Sequence, residues 1–378
     1  MTNALSSYLL ALSVEIAVFS LCRLVYCPSV ERKLGMNKKL CAGIVVIFLL
    51  TSCVAGPNYK GEVMENFDGK KFFNRTPLSQ KTLDVVSFGW GSLTQSEQWP
   101  TWIDNESSQA PLASVADGIS VTYINHATTL IQVQGLNILT DPIYSERASP
   151  FQWAGPKRIR DPGIAMKDLP DIDVILVSHN HYDHLDVDTL KQLTARQETP
   201  PLVLSGLGVG ELFSKIGISN YVDMQWGQSE HYQDLEFAFV ECRHRSGRGL
   251  TDQMKTLWGS FVIKSSAGNI YFAGDTGYGP HLKEHGEAYG PFALSILPIG
   301  AYEPRWFMKD VHLNPAEAVM AHKDLNSEQS LSIHFGVFQL TYEAMDSPAA
   351  DLKAALDARG VDTADFWTLE PGEARTIR

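Results

Sequence analysis

A chain of 378 residues with 44% hydrophobic content can bury a large core, and one large domain accounts for its length. Its formal net charge of −12 argues against a nucleic-acid partner, which would require a basic stripe or groove.

The N-terminus holds two apolar stretches. Tyr8–Val25 is interrupted by Glu15 and ends near Arg23, ahead of Cys27-Pro28 and the charged Glu31-Arg32-Lys33. From Met36 a second pattern begins: Asn37-Lys38-Lys39 is a short basic start, Leu40–Leu50 an apolar centre, and Leu50-Thr51-Ser52-Cys53 a lipobox. The Leu40–Val54 run is about 15 residues, shorter than the roughly 20 needed to span a bilayer. Residues 36–52 therefore read as a bacterial lipoprotein signal peptide, with Cys53 as the lipidated first residue of the mature chain. A signal peptide needs no long preamble, so residues 1–35 read as a mis-called upstream segment, with a genuine N-terminal membrane helix as the alternative. Val54 after the lipidated cysteine, where aspartate would retain a lipoprotein in the inner membrane, places the expected location in the bacterial envelope. The chain would face the periplasm from the outer membrane. Of the five cysteines, Cys22, Cys27 and Cys41 precede the cleavage point and Cys53 carries lipid. Only Cys242 remains, so the mature domain has no intrachain disulfide.

Residues 53–115 read as an arm rich in Gly, Asn, Ser and Pro, with aromatic points at Phe72, Phe73, Phe88, Trp90, Trp99 and Trp102. Packing against the main domain is the expected role, and a membrane-facing or acyl-chain groove is the alternative. The main domain, residues 116–378, shows apolar strand candidates at Ile119–Ile124, Thr129–Val133, Asn137–Thr140, Leu202–Leu204, Leu235–Val240, Leu257–Ile263 and Leu294–Leu297. Helical candidates lie at Asp188–Ala195, Val209–Ile216, Pro315–His322 and Pro348–Ala358, with Asn314 as an N-cap ahead of Pro315. Strands interleaved with helices in this way fit an α/β layer architecture.

The densest signal lies between these elements. Asp173–Ser178 is a short β-branched run that reads as a buried strand, and His179-Asn180-His181-Tyr182-Asp183-His184 follows at once. Several imidazoles and a carboxylate in one turn suit zinc and similar divalent ions. Downstream, His244 follows Leu235–Cys242, Asp275 follows Asn269–Gly274, and His334 follows Ser330–Ile333. Singly these have ordinary readings as a loop histidine, a turn or cap aspartate and a core histidine. Together they are strand ends that converge on one point. Cys242, two residues before His244, reads as a small buried hydrophobe.

On these residues the chain resembles the metallo-β-lactamase superfamily. More narrowly, it is similar to the N-acylphosphatidylethanolamine-hydrolysing phospholipase D family. The histidine turn specifies only the superfamily. Leu139–Pro150, Gly155–Arg158, Ser178–Asp186, Phe272–Tyr278, Pro298–Met308, Trp99–Trp102 and Ala364–Trp367 carry the narrower likeness, which runs from about Phe72 to the C-terminus. The resemblance implies an αββα sandwich in a single large domain.

It also implies two Zn2+ ions, with iron or manganese compatible with the same donors. His179, His181 and His244 would hold one ion, Asp183, His184 and His334 the other, and Asp275 would bridge them. A hydroxide shared by the ions would be the nucleophile, with Asp183 and Asp275 as the catalytic carboxylates. Asp141 would fix a ligating histidine from behind, and His126 would lie close by, although Asn125 stands where the family usually has glycine. Tyr182 and His312 resemble substrate contacts. The implied activity is hydrolysis of a membrane phospholipid's phosphodiester, releasing phosphatidic acid. A lactonase or other ester hydrolase, or a non-catalytic envelope lipoprotein, is the alternative. Family members dimerise, so a homodimer is a further expectation. Lys157, Arg158 and Arg160, and Arg243, Arg245 and Arg248 around His244, are either ordinary solvated loops or a clamp for an anionic phosphate.

Overall fold

The computed structural model describes residues 56–80, 82–105, 110–249 and 251–377. The upstream segment, the signal peptide and Cys53 lie outside these residues. Among the described residues no helix is long and apolar enough to cross a membrane.

In chain order the elements begin with α1 (Thr82–Thr94), β1 (Ile119–Asn125), β2 (Thr128–Val133), β3 (Leu136–Thr140) and β4 (Val174–Val177). They continue through α2 (Val187–Ala195), β5 (Leu202–Gly206), α3 (Gly210–Lys215), β6 (Tyr221–Met224), β7 (Ser229–Tyr232) and β8 (Leu235–Val240). Next come β9 (Ser260–Lys264), β10 (Asn269–Phe272), α4 (Pro280–Tyr289), β11 (Phe292–Pro298), α5 (Arg305–Met308) and α6 (Pro315–Asp324). The chain closes with β12 (Ser327–Ile333), α7 (Ser347–Arg359), β13 (Phe366–Trp367) and β14 (Ala374–Ile377).

The strands form two seven-stranded sheets, ordered β14-β1-β2-β3-β4-β5-β6 and β13-β12-β11-β10-β9-β8-β7. Each is mixed. β1, β2 and β3 are antiparallel neighbours, whereas β3 through β6 run parallel: residues 141–173 cross from β3 to β4, and α2 and α3 supply the next two crossovers. In the other sheet β7 to β10 are antiparallel and β10 to β13 parallel. The two sheets share a core that includes Val121, Ile131, Ile138 and Leu176 from one and Phe237, Phe261, Ile270 and Ile296 from the other. A second apolar layer packs Leu282, Val319 and Leu352 of the helices onto Tyr271 and Leu297. A third packs Leu190, Leu193 and Phe213 onto Ile175 and Val203. Buried on both faces, β4 shows continuous apolar character rather than alternation, which is why it is legible as a strand. The result is the expected αββα sandwich.

Asn314 caps α6 by accepting from the Glu317 amide, and Glu317 reaches back to the Asn314 amide, as the Asn-Pro start predicts. Other elements escape a reading of local pattern. Helix α4 is polar along most of its length, and β7, on a sheet edge, is only half covered. β14 is largely exposed and owes its strand form to pairing with β1. The arm packs against the main domain, as expected. It contains α1, and Phe67 and Phe72 are wholly enclosed in the core between the sheets. Phe88 stacks on Phe307 and Tyr342, and the Trp99 indole donates to the Glu343 carbonyl. Phe73, Trp90 and Trp102 remain exposed.

Candidate metal centre

The site is assembled at strand ends. β4 delivers His179 and the turn that carries His181, Asp183 and His184, a turn closed where Asp186 caps α2. The chain after β8 delivers His244, β10 Asp275 and β12 His334. The tight β1–β2 turn delivers His126, and β3 delivers Asp141. His126, Asp141 and His334 all take positive φ, at 46°, 32° and 68°. Such backbone costs non-glycine residues roughly 1–3 kcal/mol each and gathers at functional sites. Two glycines permit close passage of these loops. A Cβ on Gly274 would stand 2.5 Å from that of Ser178, and one on Gly300 would stand 2.1 Å from the His334 carbonyl oxygen.

The side chains converge in two overlapping sets. His179 Nε2 lies 2.7 Å from His181 Nδ1, which lies 3.3 Å from His244 Nε2. Across the centre, His334 Nε2 lies 3.2 Å from His184 Nε2 and 3.3 Å from Asp183 Oδ2. Asp275 joins the sets, with Oδ2 at 3.1 Å from His184 Nε2 and 3.7 Å from His244 Nε2, and Oδ1 at 3.2 Å from His334 Nε2. Nearly all of these groups are buried; the Asp183 carboxylate keeps 14% of its surface, and His181 and Tyr182 are half-buried. The open approach is therefore over the histidine turn.

Hydrogen bonds behind the rings set their tautomers. Asp141 accepts from the Ser178 amide at 2.7 Å, from the Ser178 hydroxyl at 2.6 Å and from His184 Nδ1 at 2.6 Å. The Ser178 oxygen is then free to accept from His179 Nδ1 at 2.9 Å. His244 Nδ1 donates to the Val311 carbonyl at 2.9 Å. His179, His184 and His244 thus present an unprotonated Nε2 inward, the arrangement metal-ligating histidines use. Lone pairs facing one another at about 3 Å repel unless a cation or proton sits between them. Donors at 2.0–2.1 Å from a tetrahedral ion would be about 3.3 Å apart, which the spacing here approaches.

The electrostatics agree. Burial, reinforced by neighbouring imidazoles, holds His179 well below its ordinary value. Burial also lowers His181 and His244 to about 3, with the Arg245 charge acting in the same direction. Burial works to raise Asp183 and Asp275, but the adjoining histidines, His184 first, outweigh it and keep both well below the carboxylate range. Burial likewise opposes the charge on His184 and His334. Asp275 leads the carboxylates that overcome it, raising His184 well above its ordinary value and His334 to about 9. Positive charge is favoured in this centre, and a divalent ion can take the place of those protons.

Among the described residues, the other predicted positions also have definite places. His126 is buried, with Nε2 at 3.1 Å from Asp183 Oδ2, while its carbonyl accepts from the His334 amide. Asn125 does not displace it; its side-chain amide donates to the Ile143 carbonyl. His312 is buried, with Nε2 at 3.9 Å from Asp275 Oδ2 and an Nδ1 that has no partner among the described residues. Tyr182 lies under the Arg248 guanidinium, 3.8 Å away. Cys242 is in the core, and its thiol donates to the Asp275 carbonyl at 3.3 Å. Sequence reading overlooked Ser178 and Asn74. Asn74 Nδ2 donates to the His244 carbonyl at 2.8 Å, and its Oδ1 accepts from the His244 amide at 3.2 Å. Ser178 was legible in principle as the polar end of an apolar run, whereas Asn74, 170 residues from His244, gives no local signal.

The basic clusters divide. Lys157 pairs with Glu146, Arg160 with Glu370 and Arg243 with Asp310. Arg158 donates to the Ser145 and Ile143 carbonyls, and Arg248 to those of Asn180 and Leu185. Arg245 has no carboxylate partner among the described residues; it donates to Gln80 Oε1 at 2.8 Å and its guanidinium carbon lies 5.6 Å from the Phe307 ring centre.

Residues 136–335 match the family described as "Beta-lactamase superfamily domain". The chain is 38% identical over 267 residues to the Caenorhabditis elegans protein named N-acyl-phosphatidylethanolamine-hydrolyzing phospholipase D 1, covering 68% of this chain and 75% of that one. It is 33% identical over 285 residues to the mitochondrial Saccharomyces cerevisiae protein of the same description, covering 73% of this chain and 56% of the yeast protein. The fold is also that of a possible metal-dependent hydrolase from Veillonella parvula, with TM-score 0.55 and 14% identity over 69% of this chain and all of that one.

Proposed function

The chain belongs to the β-lactamase superfamily as a metal-dependent hydrolase, and from that premise we propose that it holds two zinc ions and cleaves the phosphodiester of a membrane phospholipid. The observation that carries this reading is the pair of donor sets joined at Asp275. In it His179, His181 and His244 would hold one ion, Asp183, His184 and His334 the other, with Asp275 between them. The likeness to proteins named for hydrolysing N-acylphosphatidylethanolamine supports the choice of substrate. Iron or manganese in place of zinc would suit the same donors.

Two bound divalent ions would supply Lewis-acid polarisation of phosphoryl oxygens and a water acidic enough to act near neutral pH. The rest is the work of the chain. Ser178, Asp141 and the Val311 carbonyl keep the ring protons on the outward nitrogens. Asp183, ionised and on the open side, orients an incoming water. The walls around Asp275 and His334 exclude bulk water. In the net reaction water adds to phosphorus, the bond from phosphorus to the head-group oxygen breaks, and the head-group alcohol leaves with a proton. Phosphatidic acid is the other product. A lipid on Cys53 would hold the enzyme against the bilayer that contains its substrate.

The test is metal content and hydrolysis measured on one preparation of protein purified without chelator. N-acylphosphatidylethanolamine, phosphatidylcholine and a simple lactone are offered side by side, with Asp275→Asn as control. About two metals per chain, with phosphatidic acid release lost in the variant, is the expected result. Lactone turnover alone would move the protein to ester hydrolysis, and absence of both metal and turnover would refute a catalytic role.

A further inference from the structure

We propose that the cavity enclosed by the arm, the β6–β7 turn, the end of β8 and α4 is a binding site for a small organic cation, a primary ammonium ion carried on an aromatic body. No candidate metal donor lines this cavity, so the inference goes beyond the hydrolase reading above and stands apart from it.

The cavity measures about 500 Å3, within the range of small-molecule sites. Its wall combines rings with convergent polar groups. Phe73, Trp226 and Tyr289 supply the rings. Trp226 is held in place by donating its indole N–H to the Trp258 carbonyl at 2.6 Å. Phe73 keeps 42% of its surface while Phe72 and Asn74 on either side are buried, so its ring serves the cavity wall and not the core. His285 is the buried polar group of the wall and keeps only 8% of its surface. Its Nδ1 lies 3.1 Å from the Tyr271 hydroxyl, and its Nε2 has no partner among the described residues. A nitrogen left in this way in a cavity wall calls for a partner from outside the chain.

The charge of the wall sets the sign of that ligand. Arg75 is the arginine of the lining, and it is spent: it donates to both oxygens of Glu284, at 2.7 and 3.2 Å, and lies 3.2 Å from Glu241 Oε2. Glu65 has no cationic partner among the described residues. Three carboxylates therefore share one guanidinium. Burial raises Glu241 above its ordinary value; the Arg75 charge opposes the rise, and Glu284 and Glu65 add to it. His285 cannot supply the missing charge, because burial lowers it to about 4 and leaves it neutral near pH 7. Asn66 and Gln225 are occupied with each other through paired amide bonds of 2.6 and 3.2 Å. An ammonium would meet the Glu65 and Glu241 carboxylates and give an N–H to His285 Nε2 when Nδ1 donates to Tyr271. Its body would lie against the rings, whose faces also attract a cation.

The experiment titrates the full chain with 2-phenylethylamine and tryptamine by calorimetry at pH 7. The neutral counterparts 2-phenylethanol and tryptophol, and the anion phenylacetate, are run beside them. The proteins are wild type, the double variant Glu65→Gln/Glu241→Gln, and Phe73→Ala, each checked for fold by circular dichroism and for metal content. Saturable binding of at least one amine, one per chain, is expected. Loss of charge-assisted hydrogen bonds predicts that the matching alcohol binds roughly 10- to 100-fold more weakly, and that the double variant loses a similar factor for the amine. Phe73→Ala, at an exposed ring, should fold as wild type and weaken the amine by roughly 2- to 5-fold through the lost ring face. Saturable binding of neither amine would overturn the proposal. Equal binding of amine and alcohol, or tighter binding of phenylacetate, would overturn the choice of a cation. Amine binding unchanged in the double variant would place it elsewhere on the molecule and refute the site. If the double variant does not fold, Phe73→Ala decides in its stead, unchanged binding again refuting the site. Loss of metal from a folded variant would also overturn the proposal, by making the cavity part of the centre.

Discussion

Replacing Asp141 with asparagine isolates the part of the centre that no ligand contributes. Asp141 has no exposed surface, and its carboxylate meets the Ser178 amide through Oδ1 and both the Ser178 hydroxyl and His184 Nδ1 through Oδ2. Asparagine keeps the volume and can still accept from the Ser178 amide. Its Nδ2 then occupies the place of Oδ2 and faces two donors. The Ser178 hydroxyl can rotate to accept. His184 can answer only by moving its proton from Nδ1 to Nε2, which faces His334 and Asp275, and so losing the inward lone pair. Leaving the His184 donor unpaired instead would cost about 1–3 kcal/mol in a buried site. Either course weakens the Asp183–His184–His334 set by roughly 10- to 100-fold, the usual effect of losing an outer-shell partner. The assay is competition of metal-free protein with a chromophoric chelator, one equivalent of Zn2+ at a time, alongside a urea unfolding curve. Asp141→Asn should weaken binding at one of the ion positions and leave the other near wild type. Two wild-type affinities in a folded Asp141→Asn protein would show that the tautomer argument is wrong.

Other consequences can be checked on the same material. Asn74→Ala removes both bonds to the His244 backbone and should cost about 1–3 kcal/mol in urea unfolding and weaken binding at the His179–His181–His244 set; unaltered zinc affinity would count against a positioning role. Phe67→Ala opens a wholly buried site between the sheets and should cost about 3–5 kcal/mol, whereas an arm lying loosely on the surface would lose less than 1 kcal/mol. His281 and His285, on the buried face of α4, are lowered by burial to about 3 and about 4 from an ordinary value of 6.5. The folded state therefore binds fewer protons than the unfolded chain between those values and about 6.5, so their contribution is complete above that range and is lost as pH falls through it. For metal-free protein the unfolding free energy from urea curves should drop between pH 7.5 and pH 5, by up to about 2 kcal/mol per histidine, and less steeply in His285→Gln. An identical slope in that variant would remove His285 from the account.

The likeness to the family, the sandwich and the clustering of the histidine turn are legible in the chain because they are written locally. A β-branched run buried on both faces reads as a strand, and the six residues His179–His184 hold two of the three donors of each set. His244, Asp275 and His334 are legible more weakly, since each shows only that a polar residue ends an apolar run. Other features have no local mark. The polar helix α4 and the edge strand β14 exist because distant segments cover or pair with them. Phe67 is a core residue because the arm returns between the sheets, and Asn74 is a support of the centre because that return brings it to His244. Arg243, Arg245 and Arg248 look alike in sequence. What separates them is which partners the folded chain brings near: Asp310 for the first, carbonyls and Tyr182 for the third, and, among the described residues, no carboxylate for the second. Secondary structure follows from propensity and periodicity over a few residues, but the neutralisation of a charge depends on groups up to hundreds of residues away, and only the tertiary structure brings these within reach.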